Sequence, residues 1–115
     1  MTDRRLLQQY ASSRSKEAFA QLVHRHAGMV YSTCLRMLGE QSEAEQATQA
    51  TFLILSRKAQ HLATRNSVAG WLYTTAYRVA CRAKRAAARQ RRQDLTRQLA
   101  QEKVLIETSQ YAAVD

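Results

Sequence analysis

The sequence predicts an all-α fold, a small antiparallel bundle of three to four helices with a long basic C-terminal helix. Three observations support this prediction. Proline is absent and glycine occurs only three times in 115 residues, so little interrupts a helix. Apolar residues recur at steps of three and four, which is the helical period. Hydrophobic residues make up 45% of a chain of one-domain length, which excludes compositional disorder.

The first two helices are predicted over residues 3–12 and 16–38, and a serine between them is expected to cap the second. Gly28 interrupts the second helix, which predicts a kink or a close helix contact. Gly39 follows the last apolar residue and predicts a C-terminal cap. The apolar stripe of the second helix comprises Phe19, Leu22, Val23, His26, Val30, Cys34, Met37 and Leu38.

The third helix is predicted to begin with a capping box, in which Ser42 caps the helix and Glu45 returns a hydrogen bond. It runs to about residue 61. The polar segment 61–67 then breaks the pattern, and Asn66 or Ser67 is expected to cap a fourth helix that starts near residue 68. The buried side of the third helix is predicted to hold Ala44, Ala47, Thr48, Thr51, Phe52, Leu55 and Ala59.

The chain contains no recognisable catalytic or metal-binding motif, so we expect no enzyme activity, no cofactor and no metal. His24 and His26 are two residues apart and therefore point to different faces of a helix. His26 lies on the apolar stripe and is interpreted as a hydrogen-bonded boundary histidine. Cys34 and Cys81 form no motif and are interpreted as reduced thiols of a cytoplasmic protein. The N-terminal residues lack the apolar core of a secretory signal.

The net charge of +9 is concentrated in the second half of the chain. Residues 78–97 alone carry eight basic residues and one acid, Asp94. Such a block indicates a polyanionic partner, either nucleic acid or an anionic membrane surface; the alternative is a solubilising face. Membrane binding is the weakest interpretation, because alanines stand where an interfacial helix needs Trp, Phe or Leu.

Two stretches carry candidate binding residues. The outer side of the third helix presents amides, a leucine and an arginine at helical spacing, which suits a helical partner. Its alternative is an ordinary solvated face with one stray leucine. The fourth helix carries aromatic residues beside arginines, a combination that suits single-stranded nucleic acid. Trp71 is equally consistent with core packing. Polar donors in the loop before this helix suit the edge of a flipped base.

Three segments in order resemble region two of a bacterial RNA polymerase sigma factor of the extracytoplasmic-function (ECF) group. They are AFAQLVHRHAGMVYSTCLRMLG, SEAEQATQATFLIL and GWLYTTAYRVACRAKR. The resemblance covers about Leu6 to Arg92, so residues 1–92 are predicted to form region two and residues 93–115 a linker towards an absent region four. Such a chain would be an excised domain or a natural truncation. The matching motif residues are Glu43, Ala44, Glu45, Gln46, Gln49, Phe52, Trp71 and Leu72.

The resemblance implies two partners, the RNA polymerase core and promoter DNA. Docking on the clamp helices of the β′ subunit would fall on Gln46, Gln49, Leu53 and Arg57. Capture of a flipped base from the non-template strand of the −10 element would fall on Thr64, Arg65, Asn66 and Ser67. Contacts of the following helix with promoter DNA would fall on Tyr73, Tyr77, Arg78, Arg82, Lys84, Arg85 and Arg89. In this family, anti-sigma factors commonly occupy the same surfaces.

The chain departs from the family pattern at three positions. Gln46 replaces a usual acid and Ala50 a frequent glutamate, which removes negative charge from the docking face. Arg78 replaces a frequent asparagine, so promoter preference does not carry over. Two other interpretations stay open: a general nucleic-acid or anionic-surface binder, and an interaction module sequestered by a regulator.

Overall fold

The computed structural model describes the backbone of residues 1–114 and the side chains of residues 1–109. The backbone forms helices and no strand within residues 1–114, which confirms the all-α prediction. The last residues of the segment 93–115, assigned above to a linker, lie outside the described side chains. The helices are α1 (Asp3–Ser13), α2 (Lys16–Leu38), α3 (Gln41–Leu62) and α4 (Ala69–Val114).

The chain divides into two units, Met1–Lys84 and Arg85–Asp115, and α4 contributes residues to both. In the first unit, α1, α2 and α3 pack against one another in all three pairings. The beginning of α4 joins the same core through Leu72 and Ala76. The first unit is therefore a helical bundle with one core, to which all four helices contribute. Its largest fully buried side chains are Leu6, Leu7, Leu22, Val30, Cys34, Thr51, Leu55, Val68 and Leu72.

Two of the predicted caps are confirmed. Ser15 precedes α2, and its side chain accepts a hydrogen bond from the backbone N–H of Ala18 at 3.2 Å. Gly39 ends α2 in the left-handed conformation, with φ of 73°, and its N–H donates to the Leu35 carbonyl at 2.8 Å. A residue with a Cβ would be strained at that φ, which explains why glycine stands there.

The predicted capping box at Ser42 is wrong. Helix α3 begins two residues earlier than this box predicts, at Gln41, and Glu40 caps it. The Glu40 carboxylate accepts from the backbone N–H of Ser42 and from that of Glu43, both at 2.9 Å. A carboxylate here satisfies two otherwise unpaired donors and places its charge at the positive end of the helix dipole. This double acceptor explains why the chain uses Glu40 rather than the hydroxyl of Ser42.

The expectation of a close helix contact at Gly28 is also wrong. Helix α2 runs through this residue, and no atom outside the local backbone lies within 4 Å of the position a Cβ would take.

The start of the fourth helix is close to its prediction. Ala69 is its first residue, and the Ala69 N–H donates to the Ser67 hydroxyl at 3.3 Å.

Both cysteines are unpaired thiols, as the sequence analysis expects. Cys34 is buried in the core, and burial raises the pKa of its thiol, although a hydrogen bond with Thr48 lowers it in part. A raised pKa reduces the thiolate fraction, so this thiol is a packing residue rather than a nucleophile. None of the helices within residues 1–114 has an apolar stretch suited to crossing a bilayer.

Candidate binding surfaces

The outer side of α3 presents the predicted partner-binding residues together. The opposite side of the helix is fixed in the core by Leu55 and Ala59, among others. Because helix geometry places residues three and four apart on one side, the remaining positions face solvent. Leu53 is 52% exposed, so it presents apolar surface to solvent on this side of the helix. We call this surface the α3 face, and its residues, all exposed, are Gln46, Gln49, Leu53 and Arg57.

A groove that the sequence analysis missed borders the α3 face. It has a volume of about 380 Å³ and lies between α2 and α3. Phe19 and Val23 contribute from α2, while Phe52 and Leu53 contribute from α3. The groove needs side chains from two helices, so spacing within one helix could not reveal it. Its apolar lining could receive an apolar side chain of a partner that docks on the α3 face.

The loop between α3 and α4 exposes all four predicted base-contacting residues. We call residues Thr64, Arg65, Asn66 and Ser67 the 64–67 loop; each of them is exposed. Val68, which follows the loop, is completely buried in the core. The backbone N–H of Arg65 donates to the Leu62 carbonyl at 3.0 Å, which continues the last turn of α3.

Helix α1 holds this loop at both ends. At its beginning, the Gln8 side-chain amide donates to the Ala63 carbonyl at 3.4 Å. At its end, the backbone N–H of Val68 donates to Asp3 Oδ2 at 3.2 Å. The loop backbone is therefore held by residues 55 and 65 positions earlier in the chain. Sequence reasoning offered no signal for either contact.

Asp3 is the polar centre of this arrangement, and its carboxylate has three partners. Oδ1 accepts from Arg25 Nη1 at 3.1 Å, and Oδ2 lies 2.9 Å from His26 Nε2. The backbone N–H of Val68 is the third partner. Burial raises the pKa of Asp3, but Val68, His26 and Arg25 together outweigh burial and lower the pKa below its ordinary value of 3.8. The contact with Asp3 also confirms that His26 is a hydrogen-bonded boundary histidine.

The fourth helix exposes its predicted nucleic-acid-binding residues. Tyr73 is 48% and Tyr77 is 49% exposed, whereas Trp71 is partly buried and packs against the core. Trp71 is thus a core residue, the alternative that the sequence analysis kept open. Of the basic residues, Arg78, Arg82 and Lys84 belong to the first unit, while Arg85 and Arg89 belong to the second; all five are exposed.

The described residues offer no obvious place for a metal ion. Within them, no three His, Cys, Asp or Glu side chains cluster closely enough to ligate one. The first unit instead has two kinds of candidate binding surface. One is an amphipathic helix face beside an apolar groove, and the other is an exposed polar loop followed by aromatic and basic residues.

Comparison with protein families relates the chain to known proteins. The family model described as Sigma-70 region 2 matches residues 22–90. Neither curated proteins nor solved structures give a significant match. The matched span contains the α3 face and the 64–67 loop, whereas α1 lies before it.

Proposed function

The chain belongs to the sigma-70 region 2 family, and we propose that it acts as an ECF-type region two that docks on the polymerase core and opens the promoter −10 element. Membership in this family implies binding to RNA polymerase core and to promoter DNA. The family consists of non-enzymatic transcription initiation factors. Our proposal goes further than family membership and names the polymerase subunit that is bound, the DNA strand that is captured and the residues that make each contact.

The observation that carries the proposal is the α3 face, which lies within the family match and is exposed along its whole length. Leu53 supplies an apolar contact and borders the groove between α2 and α3. Gln46 and Gln49 supply amide donors and acceptors, and Arg57 supplies a cation. This combination suits the mixed surface of a helical partner, and we assign it to the clamp helices of β′. An anti-sigma factor would compete for the same face.

Gln46 on the α3 face, and the half-buried Ala50 next to that face, replace acids of the family pattern, so this part of α3 is less negative than in the family. Glu43 and Glu45 are exposed in the first two turns of the same helix. Negative charge is thus retained at the N-terminal end of α3 and lost further along it. Docking should therefore depend more on Leu53 and the groove, and less on salt concentration, than in a relative that keeps the acids.

The 64–67 loop is proposed to capture an unstacked base of the non-template strand. Its side chains are exposed while its backbone ends are held, so a base can be received without the loop first becoming ordered. Unstacking a base costs a few kcal/mol, and hydrogen bonds to its edge offset that cost. Asn66 carries both a donor and an acceptor, which makes it the best candidate for base discrimination.

The beginning of α4 is proposed to hold the strand next to the captured base. Tyr73 and Tyr77 each expose about half of their surface and offer rings for stacking. Arg78 and Arg82 are four residues apart on the helix and supply charge to the phosphates. Phosphate contacts fix the position of the strand, while the loop supplies base preference. Arg85 and Arg89 continue the basic series along the sequence.

The test is a binding measurement between the chain and purified bacterial RNA polymerase core. The wild-type chain is compared with the double variant Gln49→Ala/Leu53→Ala. The matched control is Gln98→Ala/Leu99→Ala, which removes an exposed amide and an exposed leucine from the second unit. Loss of two central contacts should weaken binding by at least about tenfold in the first variant and leave the control unchanged.

The outcomes separate the candidate functions. Core binding that survives Gln49→Ala/Leu53→Ala would move the docking surface away from α3. A wild-type chain that binds DNA in a salt-dependent way but not the core would instead support the second candidate, a general nucleic-acid binder. That candidate is favoured only by the basic block at residues 78–97.

A further inference from the structure

We propose that Asp3 is a positioning residue for base capture, holding the 64–67 loop and the start of α4 in the conformation that receives the base. The inference rests on the proposed function of that loop. The hydrogen bond from the Val68 N–H to Asp3 Oδ2 carries it, because Val68 is the residue at which the exposed loop ends and the buried chain begins.

The contact between Asp3 and Val68 fixes more than one residue. The Val68 carbonyl accepts from the Leu72 N–H at 2.8 Å, so the same peptide segment begins the hydrogen-bond ladder of α4. The Val68 side chain is completely buried, and the Val68 N–H donates to the Asp3 carboxylate. Removing the acceptor would leave a buried donor unsatisfied or pull the loop end towards water.

The carboxylate is itself held rigidly, so it can act as a fixed reference point. Arg25 and His26 on α2 bind its two oxygens, and Asp3 is only 7% exposed. Three donors around one buried carboxylate limit its rotation and favour its charged form. The position of Val68 is thereby set by α2 as well as by α1.

Helix α1 also fixes the loop relative to α3. Leu6 and Leu7 are completely buried, and the Tyr10 hydroxyl lies 2.7 Å from the Ser56 hydroxyl on α3. Arg14 donates to the Ser56 carbonyl at 3.2 Å. The same helix therefore contacts both α3 and the loop, so Asp3 sets where the loop lies with respect to the α3 face. Because α1 precedes the matched residues 22–90, Asp3 lies outside the segment that defines the family match, whereas its partner Val68 lies within that segment.

The experiment uses the full chain assembled with RNA polymerase core. Asp3→Asn keeps the size of the side chain but removes its charge and one acceptor oxygen. Glu17→Gln is the matched control, since it removes one exposed carboxylate from the first turn of α2. Two quantities are measured: affinity for the core, and affinity of the assembled complex for single-stranded oligonucleotides randomised at each position, across a salt series.

The expected result for Asp3→Asn is selective. Core affinity should stay within about twofold, because the α3 face is held by its own helix. Affinity for the single strand should fall about tenfold, the equivalent of one hydrogen bond to a charged group. The salt slope should stay unchanged, since no phosphate contact is lost, and preference among the four bases should flatten. Glu17→Gln should behave as the wild type in every measurement.

Other outcomes overturn the inference in recognisable ways. Equal losses of core affinity and DNA affinity in a folded variant would show that Asp3 has a general structural role. Unchanged preference among the four bases would show that Asp3 does not position the loop for base capture. If Asp3→Asn does not fold, Gln8→Ala decides: it breaks the exposed contact with the Ala63 carbonyl and should lower only DNA affinity, by about twofold to threefold. Unchanged DNA affinity would then reject the inference. A wild-type chain that fails to bind the core overturns the proposed function itself.

Discussion

The α3 face and the 64–67 loop are held in place by different kinds of interaction. The α3 face is set by its own helix, because burial of Leu55 and Ala59 on one side turns Leu53 outwards on the other. The position of the loop is set by distant residues on α1, because Gln8 donates to the carbonyl before the loop and Asp3 accepts from the N–H after it. One surface thus depends on helical periodicity and apolar burial, and the other on a few polar contacts. The two should therefore fail under different perturbations.

The largest expected effect comes from the core that both surfaces share. Leu55→Ala removes a completely buried side chain and should lower the free energy of unfolding by about 2–5 kcal/mol. Leu53→Ala, on the same helix but 52% exposed, should change it by less than about 0.5 kcal/mol. Urea unfolding followed by circular dichroism measures both. Equal effects of the two substitutions would contradict the assignment of opposite sides of α3.

The next effect distinguishes the loop from the basic residues of α4. Arg82→Ala should weaken DNA binding several-fold for all sequences and reduce the salt slope by about one unit, since one phosphate contact is lost. Asn66→Ala should instead alter base preference and leave the slope unchanged. Fluorescence titration of labelled oligonucleotides at several salt concentrations measures both quantities. If Asn66→Ala weakened binding equally for all sequences, the loop would not discriminate between bases.

The smallest effect concerns the first turn of α3, which supports the α3 face. Glu40→Ala should lower the free energy of unfolding by about 1 kcal/mol, because two backbone N–H groups lose their acceptor. Ser42→Ala should change it by less than about 0.5 kcal/mol, since the Ser42 hydroxyl does not cap the helix. Thermal unfolding measures the pair. A larger loss of stability for Ser42→Ala than for Glu40→Ala would support a capping box at Ser42 instead.

Sequence reasoning was most successful where one helix decides the outcome. The ends of α2 are as predicted, with Ser15 and Gly39 as caps. Every residue assigned to polymerase or DNA contact is exposed, because helical spacing and loop polarity determine exposure locally. Their individual roles stay predictions.

Features formed by two segments that are distant in the sequence could not be predicted in the same way. The groove beside the α3 face requires Phe19 and Phe52, which meet only when α2 packs on α3. Sequence reasoning did not single out Asp3, since an acid in the first turn of a helix is already explained by the helix dipole. Its contact with Val68 depends on the fold as a whole. The cap at Glu40 was missed for a local reason, since a serine and a glutamate in the usual spacing lay nearby.

The Val68 amide gives this arrangement a built-in reporter. Its hydrogen is held by Asp3 on another helix, rather than by the ladder of α4. It can therefore exchange with solvent deuterium when α1 detaches, even while α4 remains folded, whereas the Leu72 amide is held within the α4 ladder. The difference in exchange rate between these two amides measures how often α1 leaves the loop, in the wild-type chain and without any substitution.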